Sequence, residues 1–239
     1  VRQNPAMIVA IGTPAAQSAL QVSKGKVPVV FSAITDPVGA KLAESLQHPG
    51  GNKTGTTNRW PFAGQIHLLT QILPQAKTVG VVTNPGEANC VSGMKEYREK
   101  AKEIGLVLVE VPATSSADVR TATTVLLNKG VDVILVSPSN TVFSAIDAMI
   151  SAAQAGGVPV FGGDEVCVER GSIATYGYNN RDIGVATARV IREVLKGGRP
   201  VGDIPVAQPA KNRLFVNKAA MARAKAVMPE SLRSQIVEK

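Results

Sequence analysis

From residue 78 onward, short β-branched apolar runs alternate with longer segments whose apolar positions recur every three to four residues. The runs at 78–83, 106–111, 132–137, 158–161 and 172–176 predict strands, and 88–104, 116–128, 141–155 and 182–195 predict helices. Counted from Val79, Leu106, Asp132 and Val158, the spacings are 27, 26 and 26 residues, the length of one strand, one helix and two short loops. No sequence is repeated at that period, so the pattern is a series of βα units and not a solenoid. It predicts a parallel sheet with helices on both faces. Upstream, two further βα units are expected, with strands at 6–11 and 27–33 and helices at 14–22 and 37–46. A short strand or connector at 54–58 and a helix at 63–72 follow. Late strands are expected at 205–208 and 213–216, with a lobe boundary near 56–62 and another at 178–181.

Composition agrees with a folded chain. At 239 residues, 44% hydrophobic and 18% charged, it can bury about 70–75% of its unfolded surface. Its apolar runs are too short to span a membrane. The opening Val1-Arg2-Gln3-Asn4-Pro5 carries neither a basic n-region nor an apolar h-region. The net charge of +8 is concentrated late, because residues 181–239 hold 12 Lys/Arg against 5 Asp/Glu. Phe215 is the only aromatic there, so the segment lacks the stacking platforms of a nucleic-acid site and reads as an outer surface. In a sheet of order 2-1-3-4-5, Cys90 would follow the first strand and Cys167 the fourth, with the third between, too far apart for a disulfide, so both are expected as free thiols.

Several enzyme signatures fail. Gly50 and Gly55 have phosphate-loop spacing, but Thr56 stands where Lys is required. There is no GxGxxG after a strand and no GxSxG, and His48 and His67 lack nucleophilic partners. No metal or cofactor site is expected. What remains is a set of polar clusters at strand carboxyl ends: Gly12-Thr13-Pro14, Thr35-Asp36-Pro37, Asn84 to Asn89, Ser139-Asn140-Thr141 and Gly163-Asp164-Glu165. Taken singly, each is an ordinary helix start. Together they combine hydroxyls, amides and the carboxylates of Asp36, Glu87 and Asp164 without adjacent Lys or Arg, a mixture suited to holding a zwitterion.

These segments resemble the ABC-transporter substrate-binding proteins of the tryptophan/tyrosine type (TrpX-like group). The resemblance runs through Ile8 to Gln17, Val30 to Ala40, Pro49 to Gly55, Asn84 to Asn89, Asn140-Thr141, Pro159-Val160-Phe161 with Asp164, and Pro229 to Leu232, covering nearly the whole chain in family order. It implies an α/β, two-lobed fold of the type I periplasmic-binding-protein kind, each lobe a mostly parallel sheet flanked by helices. Residues 1–58 plus 180–208 would form lobe 1, and 59–179 plus 209–239 lobe 2. The family's first lobe begins with two more strands and helices than this chain carries. Lobe 1 is therefore expected to be incomplete at its N-terminus, either shortened or completed by another chain, which leaves self-association open.

The implied function is a solute receptor of an ABC importer, extracytoplasmic in the periplasm or on a lipoprotein anchor. It would close by a hinge on an amino acid or related carboxylate, present it to a membrane permease, and carry out no reaction. Thr13, Pro14, Ala15 and Ala16 resemble a carboxylate clamp with Asp36 nearby, and Glu87, Asn89, Cys90, Asn140, Thr141 and Asp164 resemble the second lobe's contacts. Tyr178, with Trp60, Phe62 and Phe143, is a stacking candidate, although aromatics more often serve cores. The chain departs from the family pattern at Cys90, Ser139 and Asn179-Asn180, where Ser, Asp and an Asp-Tyr pair are common, so a neutral or anionic ligand stays open. The competing reading is an α/β enzyme on a small carboxylate, using Glu87, Asp164 and Cys90.

Overall fold

A computed structural model describes residues 5–238, so the opening segment at residues 1–4 lies outside the described residues. The chain divides into two units, residues 1–59 with 178–211 and residues 60–177 with 212–239. In chain order, β1 (Ile8–Ile11), α1 (Thr13–Ser23), β2 (Val29–Ile34) and β3 (Lys53–Thr57) build unit 1. Unit 2 follows with α2 (Phe62–Ile72), β4 (Thr78–Thr83), α3 (Ala88–Glu103), β5 (Val107–Pro112), α4 (Val119–Asn128) and β6 (Val133–Val136). It continues through α5 (Asn140–Ser144), α6 (Ile146–Ala155), β7 (Val160–Gly162), α7 (Glu165–Arg170) and β8 (Ala174–Gly177). The chain then returns to unit 1 as α8 (Asn180–Lys196) and ends in unit 2 with β9 (Arg213–Val216), α9 (Lys218–Arg223) and β10 (Ile236–Glu238).

Unit 1 has a parallel sheet in the order β1-β2-β3. Every residue of β2 except Ala33 is buried, as a strand covered on both faces requires. At the sheet edge, β1 leaves Val9 44% and Ile11 71% exposed. α8 covers the sheet through Val190, which packs with Val30 and Ile204. Beside this contact lies a buried hydroxyl cluster: the oxygens of Ser32 and Thr187 are 2.8 Å apart and those of Thr56 and Thr187 3.0 Å. Ala33 adopts φ 57°, and the β2–β3 register shifts between Phe31 and Ile34. This bulge redirects the chain just before Thr35 and Asp36.

Unit 2 holds a four-stranded parallel sheet, β5-β4-β6-β7, the expected 2-1-3-4 order. The fifth expected strand does not extend it. β8 pairs antiparallel with β9 in a second sheet, β10-β9-β8, and the two sheets meet at the bond from Ile173 N–H to Val160 O, 2.8 Å. Tyr97, Phe62, Phe161, Leu69 and Ile66 fill one side of unit 2, and Val119, Leu126, Val142 and Met149 the other. Each such side chain contributes about 1.5–3 kcal/mol when fully buried.

Other departures have local causes. The helix expected at 37–46 is a run of turns, because Asp36 Oδ1 accepts the Gly39 N–H and Lys41 turns left-handed at φ 60°. The helix expected at 141–155 breaks at Ala145, where φ −123° and ψ 24° leave helical space. The strand expected at 205–208 is a single bridge between Thr56 and Ala207. α7 was not expected. It is six residues long, too short for a helical period to show, and is started by its Asp164 cap.

Candidate functional site

The polar clusters lie where the parallel geometry puts them, after the carboxyl ends of strands. In unit 2 the turn after β4 is set by Asn84, whose Oδ1 accepts the Gly86 N–H at 2.9 Å. That turn brings Glu87 to the N-cap position of α3 in extended geometry, with φ −103° and ψ 119°, and without a side-chain bond that caps a backbone N–H of its own helix. The carboxylate reaches instead to the loop after β6. Glu87 Oε2 accepts the Asn140 N–H at 2.6 Å, and Oε1 accepts the Thr141 N–H at 2.9 Å and its hydroxyl at 2.6 Å. Asn84 Nδ2 donates to Thr141 Oγ1 at 2.8 Å, closing the cluster.

Asn89 lies in the first turn of α3 and is 4% exposed. Its Nδ2 donates to Pro138 O at 2.5 Å and to Glu87 Oε2 at 3.5 Å, while its Oδ1 is a buried acceptor with no donor. An orphaned buried carbonyl costs about 1–3 kcal/mol until an N–H or O–H reaches it. Cys90 accepts the Asn84 N–H at 3.3 Å, and burial pushes its thiol pKa up. Burial, and then the charge of Asp164, raises the Cys167 thiol well above its ordinary value. Both cysteines are free and buried.

Glu87, Asn89, Asn140 and Thr141 thus form one bonded cluster with Asn84 and Cys90. Asp164 follows the adjacent strand β7 and caps α7, its Oδ1 accepting the Val166 N–H at 2.9 Å and the Cys167 N–H at 3.1 Å. In unit 1, Gly12 at φ 84° turns β1 into α1, whose first turn lacks a side-chain cap. Thr13 and Ala16 are buried there, while Pro14 and Ala15 are exposed. Asp36 follows the adjacent strand β2 and closes the Gly39 turn. Tyr178 is 7% exposed, and its hydroxyl accepts from Gln208 Nε2. Trp60 and Phe62 are core residues of unit 2, and Phe143 is half-buried with its ring 5.7 Å from that of Trp60.

Sequence reasoning missed the support under Asp164. Gln65, fully buried on α2, donates from Nε2 to Tyr176 O at 2.9 Å, Thr175 Oγ1 at 3.1 Å and Gly163 O at 3.3 Å. The signal was present, since Gln65 is the one polar residue among Phe62, Ile66, Leu69 and Ile72 on the buried side of its helix.

Parallel sheets flanked by helices in two units, with polar loops at the strand ends, define a protein of the type I periplasmic-binding fold. Residues 1–238 match the family described as ABC transporter substrate binding protein, and the chain belongs to that family. It is 32% identical over 212 residues to a tyrosine-binding protein of Clostridioides difficile, covering 89% of this chain. A Streptococcus pneumoniae ABC domain solved with L-Trp is 32% identical over 99% of this chain, with a TM-score of 0.93. A conserved domain protein from Vibrio cholerae is 41% identical over 99% of this chain, with a TM-score of 0.92. The chain spans 61% of the length of the tyrosine-binding protein and 79% of each of the two solved chains. The family is one of substrate-binding proteins, not of enzymes.

Proposed function

We propose that this chain is the extracytoplasmic substrate-binding component of an ABC importer, taking an aromatic α-amino acid at its strand-end loops and delivering it to a membrane permease unchanged. The observation that carries the ligand class is the pair formed by Asn89 Oδ1, a buried acceptor with no donor, and the neighbouring Glu87 carboxylate. An ammonium supplies N–H donors to both and a positive charge to the second. The L-Trp and tyrosine named for two relatives contain that group together with an aromatic side chain.

The enzyme alternative has less support. Cys90 and Cys167 are buried thiols held toward the protonated form. A nucleophile needs a thiolate.

Calorimetric titration with L-tryptophan, L-tyrosine and indole-3-propionate, which lacks the ammonium, tests the reading. Binding of an amino acid at least about tenfold tighter than indole-3-propionate is expected, with the amino acid recovered intact. Equal binding of the deaminated analogue removes the ammonium assignment, and chemical conversion of the ligand removes the receptor reading.

A further inference from the structure

The loop carrying Asp164 is held from below by a buried polar relay. Gly162 and Gly163 are both left-handed, with φ 87° and 83°, and a Cβ on Gly163 would lie 2.5 Å from Cys167 Sγ. Such a turn exposes its carbonyls to the interior, where each needs a donor. The Gly162 carbonyl accepts from the Ser172 hydroxyl at 3.0 Å. The Gly163 carbonyl accepts from the Thr175 hydroxyl at 2.8 Å and from Gln65 Nε2. Gln65 is itself fixed, because Tyr97 donates its hydroxyl to Gln65 Oε1, and Gln65 donates on to Thr175. Tyr97, Gln65, Ser172 and Thr175 are all fully buried. Burial also raises the Tyr97 pKa well above its ordinary value, so its hydroxyl stays a donor.

We propose that Gln65 and Thr175 are positioning residues for ligand binding, holding the Gly163 carbonyl so that Asp164 keeps its place on the unit 2 rim. The proposal rests on the reading of Asp164 as a ligand contact. The relay runs in one direction, from Tyr97 to Gln65 to Thr175 to Gly163. Each donor in it is oriented by the bond behind it, which makes the loop's geometry a property of the core and not of the loop. Removing the Thr175 hydroxyl leaves Gly163 O with the longer Gln65 bond alone, and removing the Gln65 amide frees the Tyr97 and Thr175 hydroxyls to reorient.

The test compares the unsubstituted chain with Thr175→Val, Thr175→Ser and Gln65→Met by two measurements. The first is hydrogen exchange of the 162–168 backbone, which needs no ligand. Thr175→Val and Gln65→Met are expected to speed exchange at Val166 and Cys167, whose N–H groups bond to Asp164, by about tenfold. Exchange in β4 and β6 should stay unchanged, and Thr175→Ser should restore protection. Unchanged exchange in 162–168, or a loss spread evenly over unit 2, overturns the proposal.

The second measurement is the dissociation constant for L-tryptophan, alone and in an Asp164→Ala background. A rise of about tenfold in Thr175→Val that disappears in the Asp164→Ala background is expected, since residues acting through one partner are non-additive. A rise that persists in that background overturns the proposal. If Asp164→Ala itself leaves affinity unchanged, the ligand-contact reading of Asp164 fails, and the positioning role in binding fails with it. If Asp164→Ala weakens binding and the relay variants do not, only the positioning role fails.

Discussion

Glu87 and Thr141, 54 residues apart, meet through a single carboxylate oxygen: Glu87 Oε1 accepts both the backbone N–H and the hydroxyl of Thr141. The residue at the cap position of α3 therefore serves the start of α5. This fixes the loop after β4 to the loop after β6 with charge-assisted bonds, which are about twice as strong as neutral ones.

Glu87→Gln is expected to lower the stability of unit 2 by about 1–3 kcal/mol, because an amide N–H₂ then faces either the Asn140 or the Thr141 donors. Urea unfolding followed by circular dichroism measures the loss. An unchanged midpoint would mean that the carboxylate does not hold the two loops together.

Asp132 gives a pH signature. Its Oδ2 accepts the Lys77 and Thr78 N–H groups at 2.8 and 2.7 Å, and these two backbone bonds lower its pKa, the Thr78 bond most. A carboxylate whose pKa is depressed by folding adds stability above its unfolded pKa of about 3.9, and that stability is lost as pH falls through the folded value. Because the group is exposed, the contribution is discounted to about 0.5–1 kcal/mol. Asp132→Ala should lower the melting temperature by a constant amount between pH 5 and 7, taken as about one degree per few tenths of a kcal/mol, and the gap should narrow as pH falls below the unfolded pKa of about 3.9. A gap that widens on acidification contradicts the assignment.

The two thiols should be silent in the native state. With Cys90 and Cys167 buried and protonated, an aromatic disulfide reagent at pH 8 is expected to react only as fast as the protein opens, and then with both. Mass spectrometry should show no gain of two protons on reduction. Fast labelling of either thiol would place it outside the core described above.

β1 presents Val9 and Ile11 as exposed apolar side chains. With Val9 and Ile11 exposed on a sheet edge, concentrated solutions are expected to show self-association by sedimentation velocity. Ile11→Lys should reduce it, since an edge charge blocks strand addition. Equal behaviour of the two proteins would remove β1 as the contact.

How much of this was readable from the sequence depends on range. The strand 78–83 and the strand 213–216 stand at their expected bounds, because β-branched runs flanked by turn residues specify themselves locally. The run 37–46 has a helical apolar period but is made of turns, and the cause is a tertiary-scale detail, the Asp36 bond to Gly39 and the left-handed Lys41. β8 reads as one more parallel strand, yet its partner β9 is about 40 residues further on, beyond any window of local pattern. At the candidate site, the clusters at Glu87 and Asn140 were visible as polar loop residues. Their mutual bond was not, since only the β4–β6 adjacency brings them together. Gln65 was visible only as an anomaly in an apolar helix face.

The hydroxyl contact between Thr56 and Thr187 joins residues separated by 131 positions. On a ribosome, that separation becomes a delay. The β4 to β7 sheet of unit 2 is complete in the nascent chain by Gly162, before any part of α8 has been made. Unit 1 must wait for α8 to supply Thr187 and Val190 before its sheet is covered. At about 5–20 residues per second, the strands β1 to β3 wait on the order of ten seconds for that cover. The order of synthesis lets the β4 to β7 sheet form while unit 1 still lacks α8 and unit 2 still lacks β9 and β10.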